Sequence, residues 1–292
     1  MKKILATVCL SLLIAMPAFS QQDQFSFLTE SEVTQFAQPF ATTLGTGLNS
    51  GGFYTAHIPS LFGISISLRG MLISIPSSQM EFTPTLPQGY TADKPTATFW
   101  GNQGTVYSGP AGYITYPNGL NQKSVPFGVP QITGSFMGTE LLVRYLPSIK
   151  VGDKNLNFFG IGIRHSISQY IPLIPVDVAV QFLYNKLTVT DVISASTLAF
   201  NGEVSKTFGI FTAYGGLQYE SSKFDLSYTI KGDPNSGFPE LRQDKNVNAS
   251  VNGKDNFRVI IGGSLKAGFL VINADYNITN QPVISGGLSF EF

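Results

Sequence analysis

The chain ends Val283-Ile284-Ser285-Gly286-Gly287-Leu288-Ser289-Phe290-Glu291-Phe292. Ile284, Leu288, Phe290 and Phe292 share one parity, with Gly286 among them, while Ser285, Gly287, Ser289 and Glu291 share the other. A strand sends alternate side chains to opposite faces, so one face here suits lipid and the other a polar interior. About ten residues of such alternation make one crossing of a transmembrane β-barrel.

The same period recurs upstream. Ile64, Ile66 and Leu68 alternate with Ser65, Ser67 and Arg69, and Phe159, Ile161 and Ile163 alternate with Gly160, Gly162 and Arg164. Further segments lie near 140–145, 176–185, 198–205, 212–219, 224–231, 256–266 and 270–277, which with the terminal strand makes ten. The fold expected is all-β: an antiparallel transmembrane β-barrel of ten to fourteen strands over 61–292, after a short N-terminal helix and plug segment. The strand range is wide because 77–133 reads as one long loop that could hide further hairpins.

Charge placement is consistent with this fold. Arg69, Glu140, Arg144, Arg164, Asp177, Glu203, Asp225, Arg258, Lys266 and Asp275 all fall on the polar parity and are the candidate lumen-facing residues. Lys231 and Glu291 join them, giving six cations and six anions. A selective pore leans to one sign, so balance favours mutual pairing inside a narrow lumen. An inward substitution is expected to be tolerated better than an outward one, because a charge against lipid costs roughly 2–4 kcal/mol.

The start of the chain reads as an export signal. Met1-Lys2-Lys3 is cationic, Ile4–Ala15 is too short to span as a helix, and Ala18-Phe19-Ser20 suits cleavage before Gln21. Cys9, the only cysteine, lies inside that signal, so no disulfide is expected after cleavage. Residues 21–60 read as a helix and a glycine-rich plug or periplasmic segment. Thr29 and Glu32 have capping-box spacing, Val33, Phe36, Ala37 and Phe40 form a stripe, and Pro39 is expected to end the helix. Charged residues are 12% of the chain, about half the soluble average of roughly 25%. Net charge is zero, which argues against a nucleic-acid partner.

The terminal aromatic resembles the signal by which outer-membrane barrels are recognised, which marks Phe290 and Phe292 as the insertion signal. The expected location is the outer membrane of a Gram-negative bacterium, with membrane lipid and the barrel-assembly machinery as partners. With both termini periplasmic, the connections 77–133 and 232–255 fall outside, and the turns at Val151-Gly152-Asp153 and Lys266-Ala267-Gly268 inside.

The run Phe159-Gly160-Ile161-Gly162-Ile163-Arg164-His165-Ser166-Ile167-Ser168-Gln169-Tyr170-Ile171-Pro172, followed by Ile174-Pro175-Val176-Asp177, carries a family resemblance. So do Val204-Ser205-Lys206 before Tyr214-Gly215-Gly216-Leu217, and Asn273-Ala274-Asp275-Tyr276-Asn277. The chain resembles an uncharacterised outer-membrane barrel family, a domain of unknown function of Bacteroidetes-type bacteria. The likeness includes Leu44-Gly45-Thr46-Gly47-Leu48-Asn49-Ser50-Gly51 and implies a fold, not an activity. More remotely, an N-terminal hatch before a barrel is similar to long-chain fatty-acid transporters, whose Asn-Pro-Ala hatch motif does not occur here.

No catalytic, cofactor or metal constellation stands out. In a strand His165 faces away from Ser166 and Ser168, and no Gly-x-Ser-x-Gly elbow marks a serine for His57. The function expected is passive passage or binding of a small solute or lipid. The alternative is a non-transporting envelope barrel that meets partners through loop residues such as Tyr90, Trp100, Tyr107, Tyr113 and Tyr116.

Overall fold

The computed structural model describes residues 30–110, 112–151, 154–190, 192–230 and 242–292. The expected signal peptide, Lys231, and the turn residues Gly152 and Asp153 lie outside the described residues.

One antiparallel sheet closes on itself. In chain order its strands are β1 (Phe62–Ser74), β2 (Ser124–Phe136), β3 (Thr139–Val151), β4 (Lys154–Ser166), β5 (Asp177–Val189) and β6 (Ile193–Phe208). Then come β7 (Phe211–Ile230), β8 (Lys245–Asn252), β9 (Phe257–Ala267), β10 (Leu270–Ile278) and β11 (Val283–Glu291). Ten of them form a ring, in which β1 to β7 pair in succession, β7 pairs with β9, and β11 returns to β1. The remaining strand, β8, continues the line of β9 along the far half of β7.

The seam is sealed by the last residue. Phe292 N–H donates to Ile64 O at 2.9 Å and Ile64 N–H returns a bond at 3.1 Å. The Phe292 ring is exposed and stacks on Phe269, 6.5 Å between centroids. Deleting Phe292 removes one closing pair and one outward aromatic. The expected result is a smaller fraction of protein showing the heat-dependent gel shift of a closed barrel, and an unchanged fraction would count against the role.

Apolar side chains face outward all round the ring, among them Ile66, Ile132, Leu141, Phe159, Phe182, Phe200, Leu217, Ile261, Ile272 and Ile284. This alternation, legible as period two, produces an apolar outer band of the kind lipid requires.

The ten strands are not the ten read from sequence. The stretch read as two strands, 212–219 and 224–231, is the single strand β7, and β2 lies where a loop was expected. The two errors cancel in the count. Breaking β7 near Glu220 inverts the parity of the rest of that strand. Hence Asp225, expected in the lumen, points outward and pairs with Lys223 at 3.3 Å. Phe224 and Leu226, expected to face lipid, are buried inside. β2 escaped notice because Pro126 and Pro130 argue against a central strand. Pairing of β2 with β3 covers only Gln131–Phe136, so both prolines sit where β2 is bonded on one side alone.

The barrel has a long-loop end and a terminus end. The connection 75–123, the end of β7 and the start of β8 lie at the first, and β1 starts and β11 ends at the second. Val151, where β3 ends, is also at the long-loop end, because the extra strand β2 shifts the direction of those that follow. The tight turns at Met137-Gly138 and Gly209-Ile210, and the one after Ala267, are at the terminus end.

Residues 75–123 fold into a cap. Glu81–Phe82 pairs with Thr96–Ala97, and Val106–Gly109 pairs with Gly112–Thr115. Trp100, Tyr107 and Tyr116, offered above as contact residues, are buried in this cap, whereas Tyr113 is exposed. Their bulk is spent on closing the barrel end.

Candidate functional site: the occupied lumen

The helix α1 (Glu30–Leu48) lies inside the barrel and runs on through Pro39. Proline removes one backbone donor, but packing of the surrounding turns overrides that loss. Phe36, Phe40 and Leu44 are buried on the helix, and Phe40 meets Phe99 at 4.3 Å, Trp100 at 5.7 Å and Phe224 at 5.3 Å between ring centroids. The Pro39 carbonyl accepts from Thr43 Oγ1 at 2.8 Å and from Gln281 Nε2 at 3.0 Å. Gly45 lets α1 approach β7, since a β-carbon there would fall 2.3 Å from Ser222 Oγ.

Two different interiors follow from this. Toward the long-loop end the wall turns Ile73, Phe127, Leu146, Phe158, Leu187 and Phe224 inward, and these pack with α1 and the cap. Burial of one such side chain is worth roughly 1.5–3 kcal/mol. Burial and the bond from Tyr116 Oη to the Glu32 carboxylate push the Tyr116 phenol above its ordinary range. Toward the middle the wall becomes polar and grips backbone.

Three arginines do most of the gripping. Arg144 donates from Nη1 to Leu48 O at 2.8 Å, from Nη2 to Ser50 O at 2.9 Å, and from Nε to Gln131 at 3.0 Å. Arg258 donates from Nη2 to Thr46 O at 3.1 Å and from Nη1 to Ser50 Oγ, while a fork to Glu220 at 2.7 and 2.9 Å neutralises it. Arg164 donates to Thr55 O and bridges Glu140 at 2.7 Å and Glu203 at 2.8 Å. Guanidinium suits this task because its planar fork serves a carboxylate and a carbonyl together.

Neutral side chains complete the grip. Asn185 donates to Leu48 O at 3.0 Å, Gln181 to Gly52 O at 3.3 Å and Ser264 to Tyr54 O at 3.2 Å. Arg69 is buried, donates to Asn273, and lies over the Tyr54 ring at 4.3 Å. Asp275 accepts from Tyr214 at 2.9 Å, from Asn277 at 2.6 Å and from Ser285. Carbonyls of an irregular segment are costly to bury unpaired, so the wall must answer each one.

At the terminus end the interior opens into a cleft of about 570 Å³. Tyr54, His57, Arg164, Asp177, Lys266 and Glu291 line it. His57 Nδ1 is 3.2 Å from Asp177, Lys266 is 2.5 Å from Glu291, and Tyr54 Oη donates to Glu291 at 2.6 Å. His165 stands apart, bonded to Thr139 at 2.8 Å and Tyr170 at 2.9 Å.

Of the candidates from sequence, Arg69, Arg144, Arg164, Glu203, Arg258 and Asp275 are buried in the lumen. Glu140 joins Arg164, and Asp177 and Lys266 edge the cleft. Asp225 is excluded for the parity reason above. Glu220, the partner of Arg258, was missed because it fell at the supposed break. An unbroken even parity through Gln218, Glu220, Ser222 and Phe224 was the available signal.

Together these features define a class: a closed ten-strand β-barrel whose own N-terminal segment occupies its lumen. The chain belongs to a family of unknown function (DUF6588), and the match spans residues 1–292. No curated protein matches the chain. Among solved structures, similarity is found to the transport unit of the autotransporter AIDA-I from Escherichia coli, at 8% identity and TM-score 0.32, covering 89% of this chain and 98% of that one. The translocator domain of the autotransporter NalP from Neisseria meningitidis is 11% identical, with TM-score 0.29 and coverage of 92% and 99%. The Ralstonia pickettii toluene transporter TbuX is 8% identical, with TM-score 0.18 and coverage of 81% and 90%.

Proposed function

We propose that the protein is a Gram-negative outer-membrane barrel, long-loop end outward, that is closed at rest and acts through its capped outer face. The apolar outer band and the long connection 75–123 at the end opposite Phe292 support that placement. The observation that carries the closed state is the run of bonds from Arg144, Arg258 and Arg164 to the backbone of residues 46–55. Eight inward charges are committed to pairing or to gripping this segment: Arg164 with Glu140 and Glu203, Arg258 with Glu220, Lys266 with Glu291, and Arg144 on the backbone. A permeation path would leave such groups facing water.

A second reading has one observation in its favour. The cleft of about 570 Å³ at the terminus end has room for a small solute, and passage would follow if residues 30–58 moved.

Planar-bilayer recording separates the readings. The full chain is expected to give no steady conductance, and a folded barrel lacking residues 30–58 is expected to conduct. Steady conductance from the full chain would overturn the closed state. Solute-dependent conductance of the full chain would favour the second reading.

A further inference from the structure

The segment in the lumen has a direction. Glu32 accepts from Tyr116 of the cap, and Phe36 stacks edge-on against Phe99, 6.0 Å between centroids. Gln38 and Pro39 meet Asn252, which ends β8, and Gln281, in the connection between β10 and β11, both at the long-loop end. Leu48 and Ser50 then meet Arg144 in the middle of the wall. Tyr54 meets Glu291, His57 meets Asp177, and the Pro59 carbonyl accepts from Gly138 N–H in a turn of the terminus end. The chain therefore enters the lumen at the long-loop end and leaves it where β1 begins.

Length agrees with a full crossing. The 19 residues of α1 span roughly 28 Å at 1.5 Å per residue, and the irregular stretch after it covers the rest. Neither route lets the preceding chain return to the terminus end. At the level of Arg144 the lumen is filled, with Leu48, Arg144 and Asn185 all fully buried. Irregular backbone does not cross lipid, because its polar groups would find no partners there.

We infer that the barrel threads its N-terminal segment through its lumen, so that the start of α1 at Glu30 is presented on the cell surface beside the cap. This rests on the outward orientation of the long-loop end proposed above. It makes the barrel a display device, with the plug as the stalk. Ser31, exposed in the first turn of α1, lies near the start of that stalk.

Single cysteines in the full chain test it, in a Cys9→Ser background. Ser31→Cys changes one atom. Gln88→Cys reports the exposed cap, and Ile210→Cys reports an exposed turn of the terminus end. A membrane-impermeant maleimide is applied to intact cells and then to lysed cells, with the gel shift certifying that each variant is folded. An epitope inserted between Gln22 and Asp23 gives a second readout by antibody binding to intact cells.

Ser31→Cys and Gln88→Cys are expected to label at least tenfold above background in intact cells, and Ile210→Cys only after lysis. Surface detection of either the Ser31→Cys thiol or the epitope, beside a labelled Gln88→Cys, supports the inference. If Gln88→Cys labels while both N-terminal reporters stay silent, the inference is overturned and the barrel orientation survives. If Ile210→Cys labels in intact cells and Gln88→Cys does not, the orientation itself is wrong and surface presentation falls with it.

Discussion

Arg258→Ala is expected to destabilise the occupied barrel by about 3–5 kcal/mol, because it strands a buried carboxylate. The guanidinium binds both Glu220 oxygens and, from the same side chain, Thr46 O, Ser50 Oγ and Asn277 Oδ1 at 3.2 Å. Alanine removes all of these and leaves Glu220 with Gln218 as its remaining neutral donor. The loss should appear as a lower urea midpoint in lipid vesicles and as loosening of α1, read by faster proteolysis within residues 30–58. The double variant Arg258→Met with Glu220→Gln removes the charge pair as a unit and should recover at least half of the loss. A single-variant loss below about 1 kcal/mol, the range of an exposed pair, would show that this clamp does not hold the segment.

Phe182→Arg is expected to impair insertion by roughly 2–4 kcal/mol, as a cation facing mid-membrane lipid. Phe182 lies near the middle of β5, exposed between Ile163 and Phe200 on the neighbouring strands. The folded fraction in vesicles should fall sharply. Gln181→Arg, one residue away, has a different expected outcome from the mild one that sequence alone suggests. Gln181 is buried, accepts from Asn201 at 2.6 Å and donates to Gly52 O, and a β-carbon on Gly52 would fall 2.5 Å from its oxygen. There is no room for a longer side chain. Gln181→Arg should insert normally and displace the segment from the lumen, giving conductance. Equal loss of insertion in both variants would remove the inside-outside distinction on which the barrel rests.

Much of the wall was legible because a strand repeats every second residue and lipid imposes a single polarity on one face. Arg69, Arg144, Arg164, Glu203, Arg258 and Asp275 could be placed inside by parity alone. Where parity reasoning failed, the cause was a break inserted wrongly at Glu220 or a strand hidden by Pro126 and Pro130. Asp225 was lost to the first error, since a break misplaced within one strand turns the remaining side chains of that strand to the opposite face. The aromatic residues of 75–123 were visible as a cluster, but composition does not distinguish a contact surface from a small core. Only their burial against Phe36 and Phe40 makes that distinction.

The sequence by itself determined the antiparallel barrel sheet, its apolar exterior and a helix before the first strand, because each follows from local periodicity. What fills the lumen, and in which direction, only the tertiary structure decided. Arg144 and Arg258 on the wall meet carbonyls of Leu48, Ser50 and Thr46 that lie about a hundred to two hundred residues away along the chain. Backbone carbonyls are alike at every residue and leave no mark in a sequence. Their partners become known only when the barrel has closed around them.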